Sequence, residues 1–230
     1  NFFNLRGELT NVLTYADLRN VARSLARKLA ARYPRGARLA LVAETSPEFL
    51  IAFYACQYAG IIPAPMPLPV NLGGKDGYLT QVRLMVQGAK AAAAIGPASL
   101  KDFLTAALNG AVDAEVLDYA ELQEFSAEAD AIPFSPDEEC YIQYSSGSTS
   151  APKGVIGTQR SVNANLHGIT KDGLKLKEDD RAASWLPLYH DMGLIGFGLA
   201  PMYGQCSVDF ISTSDFVRRP LLWLRLMSEH

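Results

Sequence analysis

Residues 145–154 run Ser145-Ser146-Gly147-Ser148-Thr149-Ser150-Ala151-Pro152-Lys153-Gly154, directly after a β-type run over residues 140–144. Small residues leave backbone N–H groups open, and hydroxyls add donors. Ser145, Ser146, Gly147, Ser148 and Thr149 can therefore wrap the oxygens of a phosphate. Lys153 brings a movable positive charge beside them. The spacing is not that of the Walker loop G-x-x-x-x-G-K-[ST]. Counted from Gly147, Pro152 stands at the second glycine, and Gly154 stands where a magnesium-holding hydroxyl belongs. The bland alternative is a flexible Ser/Gly linker with an incidental lysine, which fits poorly between two β-rich runs and ahead of Pro152-Lys153-Gly154.

Other stretches turn this loop into a family signature. The loop resembles [ST]-[SG]-G-[ST]-T-G-x-P-K-G, the phosphate loop of the adenylate-forming enzymes. Ser184-Trp185-Leu186-Pro187-Leu188-Tyr189-His190-Asp191-Met192-Gly193-Leu194-Ile195-Gly196 resembles the acid-binding segment of their fatty acyl-AMP ligase branch. Phe216-Val217-Arg218-Arg219-Pro220-Leu221-Leu222-Trp223-Leu224 resembles the branch's F-x-x-R-P-x-x-W-L stretch. Leu13-Thr14-Tyr15-Ala16-Asp17-Leu18 resembles the start of the family's first helix, and Ser46-Pro47-Glu48-Phe49 followed by Ala59-Gly60 resembles its second helix. Two positions depart from it: Ser150 stands where glycine is usual, and Thr213 where relatives often carry proline.

The resemblance implies ATP-dependent activation of a fatty acid to acyl-AMP and pyrophosphate, then transfer to the phosphopantetheine of an acyl carrier protein. It implies ATP and Mg2+ as cofactors. Lys153 and His190 are the catalytic candidates, and Met192 and Gly193 join His190 at the acid-binding site. An imidazole suits a place where carboxylate and α-phosphate meet, because it donates to oxyanions and changes charge near neutral pH. The alternative for His190 is a packed residue capping a helix that begins at Asp191. Met192, Leu194, Ile195 and Phe197 are candidates for the wall of an acyl tunnel, although core packing is the commoner use of such residues. Trp185 and Trp223 read as core anchors, and His167 and His230 as structural or surface residues.

The resemblance also implies that residues 1–230 are a portion of an N-terminal AMP-binding subdomain. The adenine- and magnesium-binding segment with its glutamate, the ribose-binding aspartate and the C-terminal lysine then fall beyond His230. Two further readings stay open: a piece of an acyl-CoA synthetase, and a non-catalytic nucleotide- or acyl-binding module.

The composition is enough to bury a large core. The 230 residues are 49% hydrophobic and 20% charged, with net charge −3. That balance gives no electrostatic case for nucleic acid. Cys56, Cys140 and Cys206 lie far apart in apolar contexts and read as buried thiols of a cytoplasmic protein. No apolar run approaches the length of a membrane span.

Helix and strand signals alternate along the chain. They comprise a helix capped by Thr14, with Leu18, Val21, Ala22, Leu25 and Leu29 on one face, a strand at 39–43, and a helix opened by Ser46-Pro47 and stopped by Gly60. A proline-rich extended segment follows at 61–69, then a mobile loop at 73–77 and an acidic surface stretch at 121–139. A strand begins at Val155, and helices are expected near 191–203 and from Asp215. The alternation predicts a mostly parallel sheet with helices on both faces, and residues 145–153 as a loop at a strand's end.

Overall fold

The computed structural model describes residues 1–69, 74–145, 152–177 and 179–229. Helix α1 (Tyr15–Arg32) starts where the Thr14 hydroxyl accepts from the Asp17 N–H and donates to the Asp17 carboxylate. Such a cap contributes about 1 kcal/mol. Leu18, Ala22, Leu25 and Leu29 are buried as their spacing predicts, whereas Val21 is left 38% exposed at the margin of that face. Helix α2 (Pro47–Ala59) opens with Ser46 accepting from the Phe49 N–H and Pro47 in the first turn. It closes at Gly60, whose φ of +65° strains any residue with a Cβ.

Two sheets, not one, carry the fold. The first has the order β2-β1-β10-β9 and comprises β1 (Phe2–Phe3), β2 (Leu9–Asn11), β9 (Arg181–Ser184) and β10 (Ser207–Ile211). In it β2 alone runs antiparallel. The second is parallel throughout, in the order β4-β3-β5-β6, from β3 (Arg38–Val42), β4 (Ile62–Met66), β5 (Ala93–Gly96) and β6 (Glu115–Asp118).

Helices α1 and α2 fill the space between the sheets. Their core joins Phe2, Val208 and Phe210 on one side to Leu39, Leu41 and Ile95 on the other. Packed on both sides, α2 is apolar around most of its circumference, with Glu48 and Gln57 as exceptions. Helices α3 (Gly74–Ala89) and α4 (Lys101–Leu108) cover the outer face of the second sheet against Ala40, Val42 and Ala94. Helices α9 (Thr213–Arg218) and α10 (Leu221–Glu229) cover the outer face of the first around Ile211. The predicted α/β class with helices on both faces holds. The single expected sheet divides because Phe2 pairs with Phe210, a contact between opposite ends of the chain that no local pattern encodes.

Two local expectations change and a third, the extended proline-rich segment, is met. Residues 74–77 open helix α3 rather than a loop, anchored by buried Tyr78, whose hydroxyl donates to the Pro67 carbonyl at 3.2 Å. Gly73 lies outside the described residues. The proline-rich segment includes a strand, β4, with Pro63 and Pro65 at positions that give up no ladder donor because β4 is an edge of its sheet. The closing helix begins at Thr213, capped by Ser212, and breaks before Pro220.

The stretch after the short helix α5 (Glu121–Glu124) wraps the surface as expected. Arg27 holds Glu128, and Arg35 reaches the Ile132 carbonyl, the Pro133 carbonyl and Glu138. Cys56, Cys140 and Cys206 are free thiols and buried, and desolvation raises each thiol's pKa, Cys140 to about 12.

Candidate active site

The phosphate-loop sequence joins two strands of a separate antiparallel hairpin, β7 (Glu139–Ser145) and β8 (Lys153–Thr158). Ser145 pairs directly with Lys153 at its loop end, and both are exposed. Lys153 therefore starts a strand rather than ending a loop. The glycines around it allow the ladder to run that far. A Cβ on Gly154 would come within 2.7 Å of the Ile142 side chain, and one on Gly157 would run into the Tyr141 ring. Each glycine gives its place to a side chain from the facing strand. Lys153 has no ion-pair partner among the described residues. Ser146, Gly147, Ser148 and Thr149 lie outside the described residues.

The second piece follows β9. Ser184 Oγ accepts from the Leu186 N–H at 3.1 Å, and the His190 N–H closes a turn onto the Pro187 carbonyl at 3.1 Å. From this turn rise α7 (Asp191–Gly193), a π-helical stretch (Leu194–Leu199) and α8 (Ala200–Gly204). Pro201, which has no N–H and crowds the preceding turn, gives a physical reason for the wider winding before it.

His190 occupies the cap position but makes no side-chain cap bond. Its Nδ1 lies instead 2.7 Å from Asp191 Oδ1, which also accepts from the Met192 N–H at 2.7 Å. That backbone bond, and then the imidazole, hold the Asp191 carboxyl below its ordinary range. An ionised Asp191 favours the ring tautomer with its proton on Nδ1, which leaves Nε2 as the other ring nitrogen.

The other expected residues separate by burial. Met192 is 63% exposed. Gly193 is buried against the Pro187 carbonyl, where a Cβ would collide. Its smallness thus serves the packing of helix on turn. Leu194 is wholly buried in the central core. Phe197 lines a cleft of about 340 Å3 together with Leu13, Leu18, Leu50 and Phe210. Gly196 faces open space, and the Tyr54 hydroxyl donates to the Gly198 carbonyl at 3.0 Å. Trp185 stacks on Phe216 with centroids 3.9 Å apart, and Trp223 meets Phe216 edge-on while its Nε1–H donates to the Ala183 carbonyl. Both tryptophans are anchors, as expected. Thr213, where the resemblance favours proline, donates to the Trp185 carbonyl at 2.9 Å. His167 lies 3.4 Å from the Tyr203 hydroxyl, away from this turn.

Sequence reasoning passed over Gln143. It sits two residues before Ser145 on β7, is 9% exposed, and donates through Nε2 to the Tyr189 carbonyl at 2.7 Å. This bond joins the β7–β8 hairpin to the His190 turn. A polar residue at an alternate position of an otherwise apolar strand was the available signal.

A sheet–helix–sheet body thus carries a glycine-bearing hairpin beside a histidine turn, the α/β architecture expected from the chain. The AMP-binding enzyme family matches residues 5–230, and the chain belongs to that family. A Caulobacter vibrioides protein provisionally named an acyl-CoA synthetase is 48% identical over 233 residues, covering 100% of this chain and 40% of its own length. A medium-chain-fatty-acid–[acyl-carrier-protein] ligase of Moorena producens is 29% identical over 96% of this chain and 38% of its own. A structure from a study of fatty acyl-adenylate ligases of E. coli and L. pneumophila is 41% identical with a TM-score of 0.93, covering 100% of this chain and 42% of that one. The chain thus spans about two fifths of the length of the relatives it matches. Among the described residues, no helix is long and apolar enough to cross a membrane, and no group of three acidic, histidine or cysteine side chains is placed to hold a metal.

Proposed function

We propose that this chain is the ATP-phosphate and acid-positioning part of a fatty acyl-AMP ligase. The observation that carries the reading is the 2.7 Å bond from Gln143 to the Tyr189 carbonyl, which sets the Ser145–Lys153 hairpin beside His190. In the reaction a fatty carboxylate oxygen attacks the α-phosphorus of ATP. The bond from that phosphorus to the bridging oxygen breaks, and pyrophosphate leaves. Two anions must meet, so the site has to neutralise charge and hold the groups in line. Lys153, exposed and without an ion-pair partner among the described residues, is free to face phosphate oxygens. His190 faces the meeting point of carboxylate and α-phosphate. Ser145, with the hydroxyl residues 146, 148 and 149, supplies phosphate donors. Magnesium bound to ATP would neutralise further phosphate charge, and no residue of this chain is assigned to it.

The acyl acceptor is a carrier-protein thiol in this reading. The Moorena relative and the motif at 184–196 favour it, whereas the Caulobacter name favours coenzyme A. In both cases the thiol attacks the acyl carbonyl and AMP leaves. The full-length protein, incubated with ATP, Mg2+ and a fatty acid, is expected to release pyrophosphate and to load a holo carrier protein in preference to coenzyme A. Release of pyrophosphate with preferential acyl-CoA formation would replace the acceptor. No fatty-acid-dependent pyrophosphate would remove the ligase reading.

A further inference from the structure

Gln143 is a buried amide between two pieces of the site, and its chemistry is unusual for its place. The residues beside it on β7, Ile142 and Tyr144, turn to apolar surroundings. Gln143 and Ser145 share the opposite face of the strand, because side chains alternate. The Gln143 Nε2 donates to the Tyr189 carbonyl at 2.7 Å, while its Oε1 is buried without a hydrogen-bond partner among the described residues. Burying an amide is costly unless its bonds are made. A hydrophobic residue would serve packing alone better here. The Tyr189 carbonyl, in turn, lies inside the turn that the His190 N–H closes onto Pro187 and from which the Leu194 N–H bonds the His190 carbonyl at 2.8 Å. The amide therefore holds the peptide that carries His190 at a set distance from the strand that carries Ser145.

We infer that Gln143 is a positioning residue, which keeps the acid-site histidine in register with the ATP hairpin through the Tyr189 carbonyl. The inference rests on the adenylation reading. It assigns Gln143 no contact with substrate. Its effect falls on the alignment of two bound reactants, where a displacement of about 1 Å costs on the order of a hundredfold in rate.

A glutamate at this position tests it, since only its protonated form can donate to a carbonyl. In the full-length protein, Gln143→Glu should show kcat rising relative to the parent as pH falls from 8 to 6. Its KM for ATP should stay near the parent value, because the hairpin's own phosphate contacts remain. Gln143→Leu should lose about 10- to 100-fold in kcat with no such recovery at low pH. Hydrogen exchange supplies a readout independent of turnover: the amides of His190 and Leu194 should exchange faster in Gln143→Leu than in the parent. Variants with parent-like kcat at all pH values and unchanged exchange would overturn the inference. So would a Gln143→Glu deficit that ignores pH. A parent without adenylation but with the exchange difference would instead sink the ligase reading and leave the structural tie standing.

Discussion

His190 Nδ1 and Asp191 Oδ1 stand 2.7 Å apart, and the same carboxylate oxygen accepts the Met192 N–H at the head of the helix. One acidic group thereby orients the imidazole and satisfies a helix-end donor. The histidine side chain is half exposed. Capping falls to the neighbour of the residue expected to cap, which leaves His190 available for chemistry.

Lys153 and His190 should differ when each is removed from the full-length protein. In the proposed reaction Lys153 faces phosphates that are charged throughout, so Lys153→Ala is expected to raise the KM for ATP as well as lower kcat. In the proposed reaction His190 acts where the new bond forms. His190→Ala should lower kcat and kcat/KM together with little change in the KM for ATP. Loss of one charge-directed donor costs about 2.7–4 kcal/mol by analogy with oxyanion donors. Steady-state kinetics following acyl-AMP would decide it, and turnover within about threefold of the parent would make His190 structural.

Gly193 and Gly196 lie three residues apart but should respond oppositely to alanine. The Gly193 Cβ position is filled by the Pro187 carbonyl, whereas Gly196 has nothing within 4 Å. Gly193→Ala is expected to cost about 1–3 kcal/mol through overpacking and to slow adenylation by moving the His190 turn. Gly196→Ala should be neutral or up to about 1 kcal/mol stabilising, from helix propensity. Urea unfolding of both variants checks the contrast, and equal midpoints would refute it.

Glu138 should contribute to acid unfolding. Its bond from Arg35, and then those from Ser135, take its carboxyl from 4.5 to about 2. A pKa depressed on folding gives stability that is complete above about 4.5 and lost as pH falls toward 2. Glu138→Gln should therefore flatten the pH dependence of unfolding in that window while leaving its slope near pH 7 unchanged. An unaltered acid limb would mean that the Arg35 contact does not persist in solution.

Residues 1–230 by themselves should not adenylate. The ribose, magnesium and C-terminal lysine groups implied by the resemblance have no counterpart assigned among them, so transition-state charge would stay largely uncompensated. Labelled pyrophosphate exchange with the isolated chain checks this, and robust exchange would show the chemistry to lie within these residues.

Local chemistry was legible in the chain. Thr14 and Ser46 cap their helices and Gly60 ends α2, because caps and left-handed turns depend on residues within four positions of one another. The candidate residues Ser145, Lys153 and His190 were legible for the same reason, each within a short contiguous motif. Distance along the chain set the limit. The pairing of Phe2 with Phe210 divides the strands into two sheets, and the Gln143–Tyr189 bond joins residues 46 positions apart. Alternation tells that a strand has two faces, but not which neighbour will lie against it. The role of Gly193 was hidden likewise, since the carbonyl that forbids a side chain there belongs to a turn whose path the helix alone does not specify. Motif and cap were properties of sequence; register between the hairpin and the histidine turn was decided by tertiary packing, through a buried amide that had to find its acceptor.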